Sequence, residues 1–333
     1  MVKTIDVHSH FFPKRLFEEL GKKYPELDFE MANENGEVNI KIGKVRYFGK
    51  VKSGFIDARE IINDMNKRGI DVSVISFAPL SFFYHLSERP AIELYSKYNE
   101  LASELCKSYP GRLICLASVP LQVPKDAVQE LKRGVRELGL KGVAIGTNVN
   151  GRNLDDKEFT VFFEEVSKLR VPILIHPADV AARDRLANYY LINLIGNPLD
   201  TTIAASSLIF GGVLSRFRDL KVILMHGGGF IPYQIGRLDH GFKVRKEAKE
   251  KISELPSKFL NNFYFDTITH NINSLEFLIR QVGANRVVMG SDYPFDMGYD
   301  DPVSMIKSLN VNEGVKELIL GKNLEMLFQI GNN

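Results

Sequence analysis

The amino-acid sequence predicts an α/β fold, a (β/α)8 TIM barrel formed by a single domain over residues 1–333. Eight short apolar segments rich in β-branched residues follow one another, and most are separated by amphipathic segments of helix length. Most of the apolar segments are continuous rather than alternating, which is typical of parallel strands covered on both faces. Eight strand–helix repeats in 333 residues favour a barrel over an open sheet.

The predicted strands and helices alternate along the chain. The strands are residues 4–8, 72–77, 113–119, 142–146, 172–176, 221–226, 263–266 and 286–290. The helices are residues 58–68, 91–108, 125–138, 156–169, 201–210, 231–250, 272–281 and 301–308, with a shorter helix near 14–20. One helix after each strand is the order of a (β/α)8 barrel.

The interval between the first strand and its helix is too long for one simple connection. Residues 37–52 alternate in polarity and contain Gly43 and Gly49 as turn residues, which predicts a small antiparallel hairpin. We assign residues 21–55 to this insertion. Loops that follow barrel strands lie at the carboxyl end of the barrel, where active sites form. The insertion is therefore expected at the mouth of the barrel.

Composition excludes several classes of function. The formal net charge is +2, and the sequence has no dense basic patch of the kind that nucleic-acid-binding proteins carry. No apolar stretch approaches the roughly 20 residues that a membrane-spanning helix needs. The N-terminus runs directly into a predicted strand with no apolar leader, so a cytoplasmic location is expected. Cys106 and Cys115 are expected to be reduced, with Cys115 as a small core residue.

Histidine and aspartate side chains collect at the ends of predicted strands. His8 and His10 are two residues apart, so both leave an extended chain on the same face. His176, His226 and Asp292 end or follow the fifth, sixth and eighth strands. One such histidine alone is more often a structural, hydrogen-bonded residue, but burying the whole set without an ion or a network is costly. The set therefore predicts a site for one divalent metal ion with nitrogen and oxygen ligands, which activates water.

Four sequence segments carry a resemblance to a known family. They are IDVHSHFFP at 5–13, VPILIHPAD at 171–179, HGGGFIPYQIGRLD at 226–239 and GSDYPFDMG at 290–298. With them the chain resembles the amidohydrolase superfamily and, within it, the branch of 2-amino-3-carboxymuconate-6-semialdehyde decarboxylase. With shorter matches at VPLQ (119–122) and GKNLEMLF (321–328), the segments run from the first residues to the last turn, so the resemblance covers essentially the whole chain.

The resemblance implies a role for each strand-end residue. His8, His10, His176 and Asp292 match the metal ligands of the family, and His226 matches the catalytic histidine that activates a metal-bound water. Asp292 is also the candidate for returning a proton to carbon. Zinc is the expected ion, with manganese, iron and cobalt as alternatives that suit the same ligands.

Substrate-binding residues are also implied by the resemblance. In the family, arginines bind substrate carboxylates and can act across a homodimer interface. Arg237 and Arg245 match the positions after HGGG, and Arg46 is the nearest arginine of the inserted hairpin. Phe295 matches an aromatic residue that lines the site. The tryptophan that the family places after the fifth strand is missing, and Tyr189 or Tyr190 is a candidate to replace it.

The resemblance therefore implies a metal-dependent, non-oxidative decarboxylase of a small unsaturated or aromatic carboxylic acid. The residues alone lead only as far as metal-activated water. Two other reactions stay open at the same site: hydrolysis of a lactone, an amide or a C–C bond, and hydration of an unsaturated dicarboxylate. A metal-binding scaffold without catalytic activity is a further alternative of another class.

Overall fold

The protein is described from a computed structural model, which covers residues 2–34, 37–43, 45–78 and 82–330. Within these ranges there are fourteen strands. They are β1 (Ile5–Phe11), β2 (Phe29–Glu34), β3 (Glu37–Ile42), β4 (Val45–Gly49), β5 (Val72–Phe77), β6 (Leu113–Cys115), β7 (Ala117–Ser118), β8 (Val143–Gly146), β9 (Asn148–Val149), β10 (Arg152–Asn153), β11 (Ile173–His176), β12 (Val222–Leu224), β13 (Phe263–Asp266) and β14 (Val287–Val288).

Parallel pairing joins the barrel strands into two sheets. One sheet has the order β1-β5-β6 and the other β14-β13-β12-β11-β8-β7. The predicted third strand is divided, because β6 pairs with β5 while β7 pairs with β8. The chain changes neighbour between them: the Leu116 amide donates to Ile75, and the Ala117 amide donates to Gly142. This one strand therefore connects the two sheets.

A second connection closes the barrel between its first and last strands. The Val7 amide donates to the Met289 carbonyl at 2.9 Å, and the His10 amide donates to the Tyr293 carbonyl at 2.8 Å. Ser9 and Tyr293 form a parallel bridge at the same seam. The predicted barrel is thus confirmed, and its strand residues are buried except for Phe11 and Ile114, as continuous apolar segments require.

Three antiparallel strands follow β1, in the order β2-β3-β4. The sequence indicated two strands in this region and missed β2, whose residues include Glu, Ala and Asn, which are uncommon in strands. Pairing along all six residues of β2 with the central strand β3 compensates for that poor propensity. After β4, Val51 forms an antiparallel bridge with Phe295, and the Lys52 amide donates to the Pro294 carbonyl.

Twelve α-helices lie in the described ranges. They are α1 (Lys14–Lys23), α2 (Ala58–Arg68), α3 (Glu88–Ser108), α4 (Pro124–Arg136), α5 (Thr160–Leu169), α6 (Asn197–Phe210), α7 (Val213–Arg216), α8 (Ile231–Val244), α9 (Ile272–Val282), α10 (Pro302–Lys307), α11 (Glu313–Glu317) and α12 (Asn323–Phe328). Two single π-helical turns, Ile192–Gly196 and Leu318–Lys322, precede α6 and α12. None of the described helices is long and apolar enough to cross a membrane.

Side chains fix where several helices begin. Asp57 accepts a hydrogen bond from the Arg59 amide before α2, and Asn271 accepts one from the Ser274 amide before α9. Asp301 caps α10 in the same way. These caps satisfy amides at the first turn that have no partner within the helix. Helix α2 ends at Gly69, whose φ of 67° lies in the left-handed region that glycine tolerates.

Cys106 and Cys115 form a disulfide bond, which contradicts the expectation of two reduced thiols. Their Cα atoms lie 6.1 Å apart, and nine positions separate them in sequence. Cys106 lies near the end of α3 and Cys115 ends β6, so the bridge ties this helix to a barrel strand. The prediction was wrong because Cys106 was interpreted only as part of a helical pattern and Cys115 only as part of an apolar strand. The turn between α3 and β6 brings the two side chains together.

Reducing this disulfide is expected to lower the free energy of unfolding. A loop of nine residues corresponds to about 2–3 kcal/mol in the chain-entropy estimate. Urea unfolding with and without dithiothreitol measures the loss directly. The Cys106→Ser variant is the control, because it should have the reduced stability and no longer respond to dithiothreitol. A wild-type protein that is insensitive to the reductant would contradict the prediction.

Candidate metal centre and active site

Three histidines and one aspartate meet at the carboxyl end of the barrel. His8 and His10 lie on β1, His176 ends β11, and Asp292 follows β14. All four are buried, with 6% exposure or less. The structure therefore brings together the four residues that the sequence indicated as metal ligands.

The four side chains direct their donor atoms at a common point. These nitrogen and oxygen atoms all lie within 4.8 Å of one another. His8 Nε2 is 3.1 Å from His176 Nε2 and 3.2 Å from Asp292 Oδ1, and His10 Nε2 is 3.4 Å from the same oxygen. His10 Nε2 is buried and has no hydrogen-bond partner among the described residues. Three imidazole nitrogens and a carboxylate oxygen fit a divalent metal ion, which would satisfy these atoms.

The opposite nitrogen of each ligand histidine has a fixed partner. His8 Nδ1 lies 2.6 Å from Asp266 Oδ2, His176 Nδ1 lies 2.7 Å from the Pro177 carbonyl, and His10 Nδ1 lies 2.9 Å from Ser76 Oγ. When Nδ1 donates a proton to such an oxygen, Nε2 carries the lone pair. The surrounding hydrogen bonds therefore hold all three rings in the tautomer that ligates through Nε2.

The charges in the cluster suit a cation. Burial raises the pKa of Asp292, but the adjacent His8 and His10 lower it to well below its usual range, so the side chain is anionic. Burial lowers the pKa of His10 to about 4 and that of His176 well below its usual value. Burial would also lower the pKa of His8, but the charges of Asp292 and Asp266 raise it to about 10, so a metal ion that binds here would take the place of the proton on His8 Nε2. The two carboxylates thus stabilise positive charge at this point.

His226 lies beside the ligand cluster on a turn of unusual backbone conformation. The φ angles of His226, Gly227, Gly228 and Gly229 are 57°, 62°, 76° and 62°. A Cβ on Gly228 would lie 2.4 Å from the Phe265 ring, and one on Gly229 would lie 2.2 Å from the Pro198 carbonyl. The HGGG segment therefore needs glycine both for its conformation and for close approach of other groups.

The imidazole of His226 is positioned for proton transfer. Its Nε2 is 3.9 Å from Asp292 Oδ2, and its ring centroid is 5.0 Å from that of His176. Burial first, and then the positive charge of His8, lower the pKa of His226, which leaves the ring neutral and able to accept a proton. In the described part of the chain its Nδ1 has no hydrogen-bond partner.

His176, His226 and Asp292 line a cavity of about 290 Å³ together with aromatic side chains. Phe295 is in this lining, at the position that the sequence indicated for an aromatic residue. Its ring centroid is 5.6 Å from that of His10 and 5.3 Å from that of Tyr47. Tyr47 comes from β4, so the antiparallel strands after β1 contribute directly to the cavity wall.

Tyr190 also lines the cavity, in the loop after β11. Burial, followed by the charges of Asp296 and Asp292, raises its pKa to about 12. The Tyr47 hydroxyl lies 3.4 Å from Asp296 Oδ1, and burial together with that carboxylate raises the pKa of Tyr47 as well. Both phenols therefore keep their protons and can act as hydrogen-bond donors. Tyr189, the other candidate at this position, is 87% exposed and is not among the lining residues.

Two of the three arginines indicated by the sequence, Arg237 and Arg245, are not among the described residues that line this cavity. Arg237 is exposed on α8, and Arg245 is exposed just after it, where it pairs with Glu247 at 2.7 Å. The backbone of Arg46 lies on β4 opposite Lys41, but its side chain lies outside the part of the chain that the structure describes.

Sequence reasoning missed Asp266 and Tyr47. Asp266 ends β13, and its carboxylate is fully buried against His8. Burial would raise its pKa, but the hydrogen bond and charge of His8 lower it, so Asp266 is an anion. The signal was present, because an acidic residue at a strand end was the criterion that identified Asp292. Tyr47 had no comparable signal, since an aromatic residue in a strand is ordinary.

Comparison with known proteins agrees with this geometry. The family model described as amidohydrolase matches residues 5–330. The chain belongs to the amidohydrolase family. A 2-amino-3-carboxymuconate-6-semialdehyde decarboxylase of Dictyostelium discoideum is 36% identical over 329 residues, covering 97% of this chain and 91% of the relative. The enzyme of the same name from Caenorhabditis elegans is 30% identical, and the alignment covers 89% of this amidohydrolase and 86% of the relative.

Solved structures share the barrel at lower sequence identity. A 5-carboxyvanillate decarboxylase from Sphingomonas paucimobilis superposes with a TM-score of 0.83 at 20% identity, covering 99% of each chain. A dihydroxybenzoic acid decarboxylase from Polaromonas sp. JS666, solved with bound manganese and 2-nitroresorcinol, gives a TM-score of 0.82 at 22% identity, covering 100% of this amidohydrolase and 98% of that chain. At these identities the likeness concerns the fold.

Removing one ligand is expected to empty the metal site. The His176→Ala variant loses a buried nitrogen ligand, so its metal content after purification should fall well below that of the wild type. Elemental analysis by mass spectrometry measures the content. His240→Ala is the control, because His240 lies on α8, away from the ligand cluster, and should not matter. Equal metal content in the two variants would contradict the ligand set.

Proposed function

We propose that this amidohydrolase is a metal-dependent, non-oxidative decarboxylase of a small unsaturated or aromatic carboxylic acid. The observation that carries the proposal is the buried group of His8, His10, His176 and Asp292 with His226 beside it. The support from comparison is that both relatives described above, at 36% and 30% identity over most of the chain, are decarboxylases by name.

The four ligands would hold one zinc ion, which three imidazoles and one carboxylate suit well. Manganese suits the same ligands, and it is bound in the Polaromonas structure. When bound, the ion supplies Lewis-acid polarisation of the substrate and charge neutralisation as CO₂ leaves.

Two residues would move protons during the reaction. His226 is neutral and accepts a proton at Nε2, the atom that lies 3.9 Å from Asp292 Oδ2. Asp292 has its Oδ1 among the ligand histidines and its Oδ2 toward His226. The proton that His226 takes up from solvent would pass to this outer oxygen and from there to the carbon that loses CO₂, which leaves Asp292 anionic and His226 neutral again.

The cavity suits a small planar acid. Its volume of about 290 Å³ lies just below the roughly 300–1,000 Å³ typical of ligand sites, so the bound acid must be small. Phe295, Tyr47 and Tyr190 offer aromatic surface to a flat substrate, and both phenols can donate hydrogen bonds. We propose that residues 1–333 form one domain. Residues 21–55 are an insertion within it, and this insertion would cover the cavity.

The substrate carboxylate would be bound by arginines brought in by assembly. Arg237 is exposed midway along α8 and Arg245 is exposed just after its end, and the same helix exposes the apolar side chains of Tyr233 and Val244. Such a surface suits a homodimer, in which each arginine would serve the site of the other subunit. Arg46, on the insertion, would serve its own subunit.

The proposed location of this enzyme is the cytoplasm.

Release of CO₂ is the direct test. Metal-loaded protein is expected to release CO₂ from at least one acid in a panel of hydroxylated aromatic acids and ring-opened unsaturated acids. His226→Ala should retain its metal and lose activity by roughly a hundredfold or more, since general acid–base groups contribute about that much. Loss of metal from this variant would show that His226 is misassigned.

The same panel separates the alternative reactions. Turnover of lactones or amides without CO₂ would indicate a hydrolase. Loss of ultraviolet absorbance from an unsaturated dicarboxylate without CO₂ would indicate a hydratase. Either result would replace the decarboxylase proposal.

Replacing Arg237 by Ala is expected to lower kcat/KM by about tenfold to a hundredfold, since a charge-assisted hydrogen bond contributes roughly 1.5–3 kcal/mol. Arg218→Ala is the matched control, because Arg218 is an exposed arginine paired with Glu254 just before β12, at the other end of the barrel.

Mixing two impaired variants tests whether the arginine acts across the interface. A heterodimer of Arg237→Ala and His226→Ala subunits contains one site with both wild-type residues only if they come from different subunits. Activity regained on mixing would support the shared site. No recovery, together with mixed dimers demonstrated by mass spectrometry, would place Arg237 in its own subunit or outside the site.

A further inference from the structure

We propose that Asp266 is a positioning residue whose single carboxylate sets both the ligand ring of His8 and the turn that carries His226. The role of Asp266 in catalysis rests on the function proposed above, whereas its effect on metal affinity and on the turn does not. Asp266 is fully buried as the last residue of β13. No reacting group needs to touch it.

The carboxylate of Asp266 joins its own segment to two others, the strand that carries His8 and the turn after His226. Its Oδ2 lies 2.6 Å from His8 Nδ1, on the first barrel strand. Its Oδ1 accepts hydrogen bonds from the Gly227 amide at 2.7 Å and from the Ile268 amide at 3.1 Å. Both oxygens are therefore used, one for a metal ligand and one for the backbone amides of Gly227 and Ile268.

The first contact determines which nitrogen of His8 can bind a metal. Because Nδ1 donates to Asp266, the lone pair lies on Nε2, the atom 3.1 Å from His176 Nε2 and 3.2 Å from Asp292 Oδ1. A carboxylate behind a ligand histidine also raises the basicity of the ligating nitrogen. His8 is the only one of the three ligand histidines whose described Nδ1 partner is an anion.

The second contact determines where His226 can lie. In the described structure His226 Nδ1 has no hydrogen-bond partner, so no side-chain contact of that atom orients the ring. Its position then depends on the backbone, which adopts positive φ at His226 and at three glycines after it. Such a turn is flexible by composition. The bond from the Gly227 amide to Asp266 anchors it one residue after His226.

One carboxylate thus fixes the distance between the metal ligand and the proton-transfer residue. The ring centroids of His8 and His226 are 5.3 Å apart, although 218 positions separate them in sequence. If Asp266 were removed, both rings would lose a constraint at once. The effect should therefore appear in metal affinity and in turnover, and not only in stability.

The Asp266→Asn variant tests the contact with His8. The two backbone amides would hold the side-chain oxygen of the substituted asparagine at the Oδ1 position, so its NH₂ group would face His8 Nδ1. Two donors cannot pair, and His8 would have to carry its proton on Nε2, the ligating atom. The affinity for Zn²⁺, measured by competition with a chelator, is expected to fall by about tenfold to a hundredfold.

The Asp266→Ala variant tests the contact with the turn. Hydrogen exchange of the Gly227 amide should become faster, and kcat at saturating Zn²⁺ should fall by roughly a hundredfold with little change in KM, because misplacement of a catalytic group has about that cost. Asn262→Ala is the matched control. Asn262 immediately precedes β13, at its opposite end, and donates to the Arg218 and Leu220 carbonyls, so its loss removes buried hydrogen bonds far from the site.

The outcomes separate this proposal from the proposed function. Weakened Zn²⁺ affinity in Asp266→Asn, with affinity retained in Asn262→Ala, supports the positioning role even if no acid is decarboxylated. Wild-type Zn²⁺ affinity in folded Asp266→Asn would overturn the contact with His8. Unchanged exchange at Gly227 in Asp266→Ala would overturn the contact with the turn. If Asp266→Ala does not fold, Asp266→Asn tests the turn instead. Its side-chain oxygen can still accept from the Gly227 amide, so hydrogen exchange of that amide should stay near the wild-type rate. A large change in the rate would overturn the assignment.

Discussion

The hydrogen bonds between β1 and the segment after β14 hold the candidate site together. They join the Val7 amide to Met289 and the His10 amide to Tyr293. His8 and His10 lie on one side of this seam, and Asp292 lies on the other. The carboxylate meets the imidazoles because the barrel closes there, so the site depends on the whole chain rather than on a local motif.

Much of this arrangement could be predicted from the sequence. Continuous apolar strands alternating with helices imply a barrel, and polar residues at strand ends imply a site at its carboxyl end. His8, His10, His176, His226 and Asp292 all satisfy that simple rule, and the structure places them together. The signal is strong because burying polar and charged groups is costly, and four of these five residues are buried together in one place.

Other features depend on contacts that a linear pattern does not encode. The disulfide was missed because a helix residue and a strand residue were each interpreted locally, while the turn between them sets their distance. Strand β2 was missed because its propensity is poor and its stability comes from pairing with β3. Asp266 was passed over although it obeys the same rule as Asp292. Its importance becomes visible only when the distances to His8 and Gly227 are known.

The cavity wall has two origins, and this has a consequence for how the protein could change over time. The groups that would perform chemistry are attached to the barrel itself, whereas Tyr47 is supplied by β4, outside the barrel sheets. Mutations in β4 can alter the shape and polarity of the wall without touching a strand that positions a histidine. Substrate specificity could therefore change during evolution while the residues of the reaction centre stay the same.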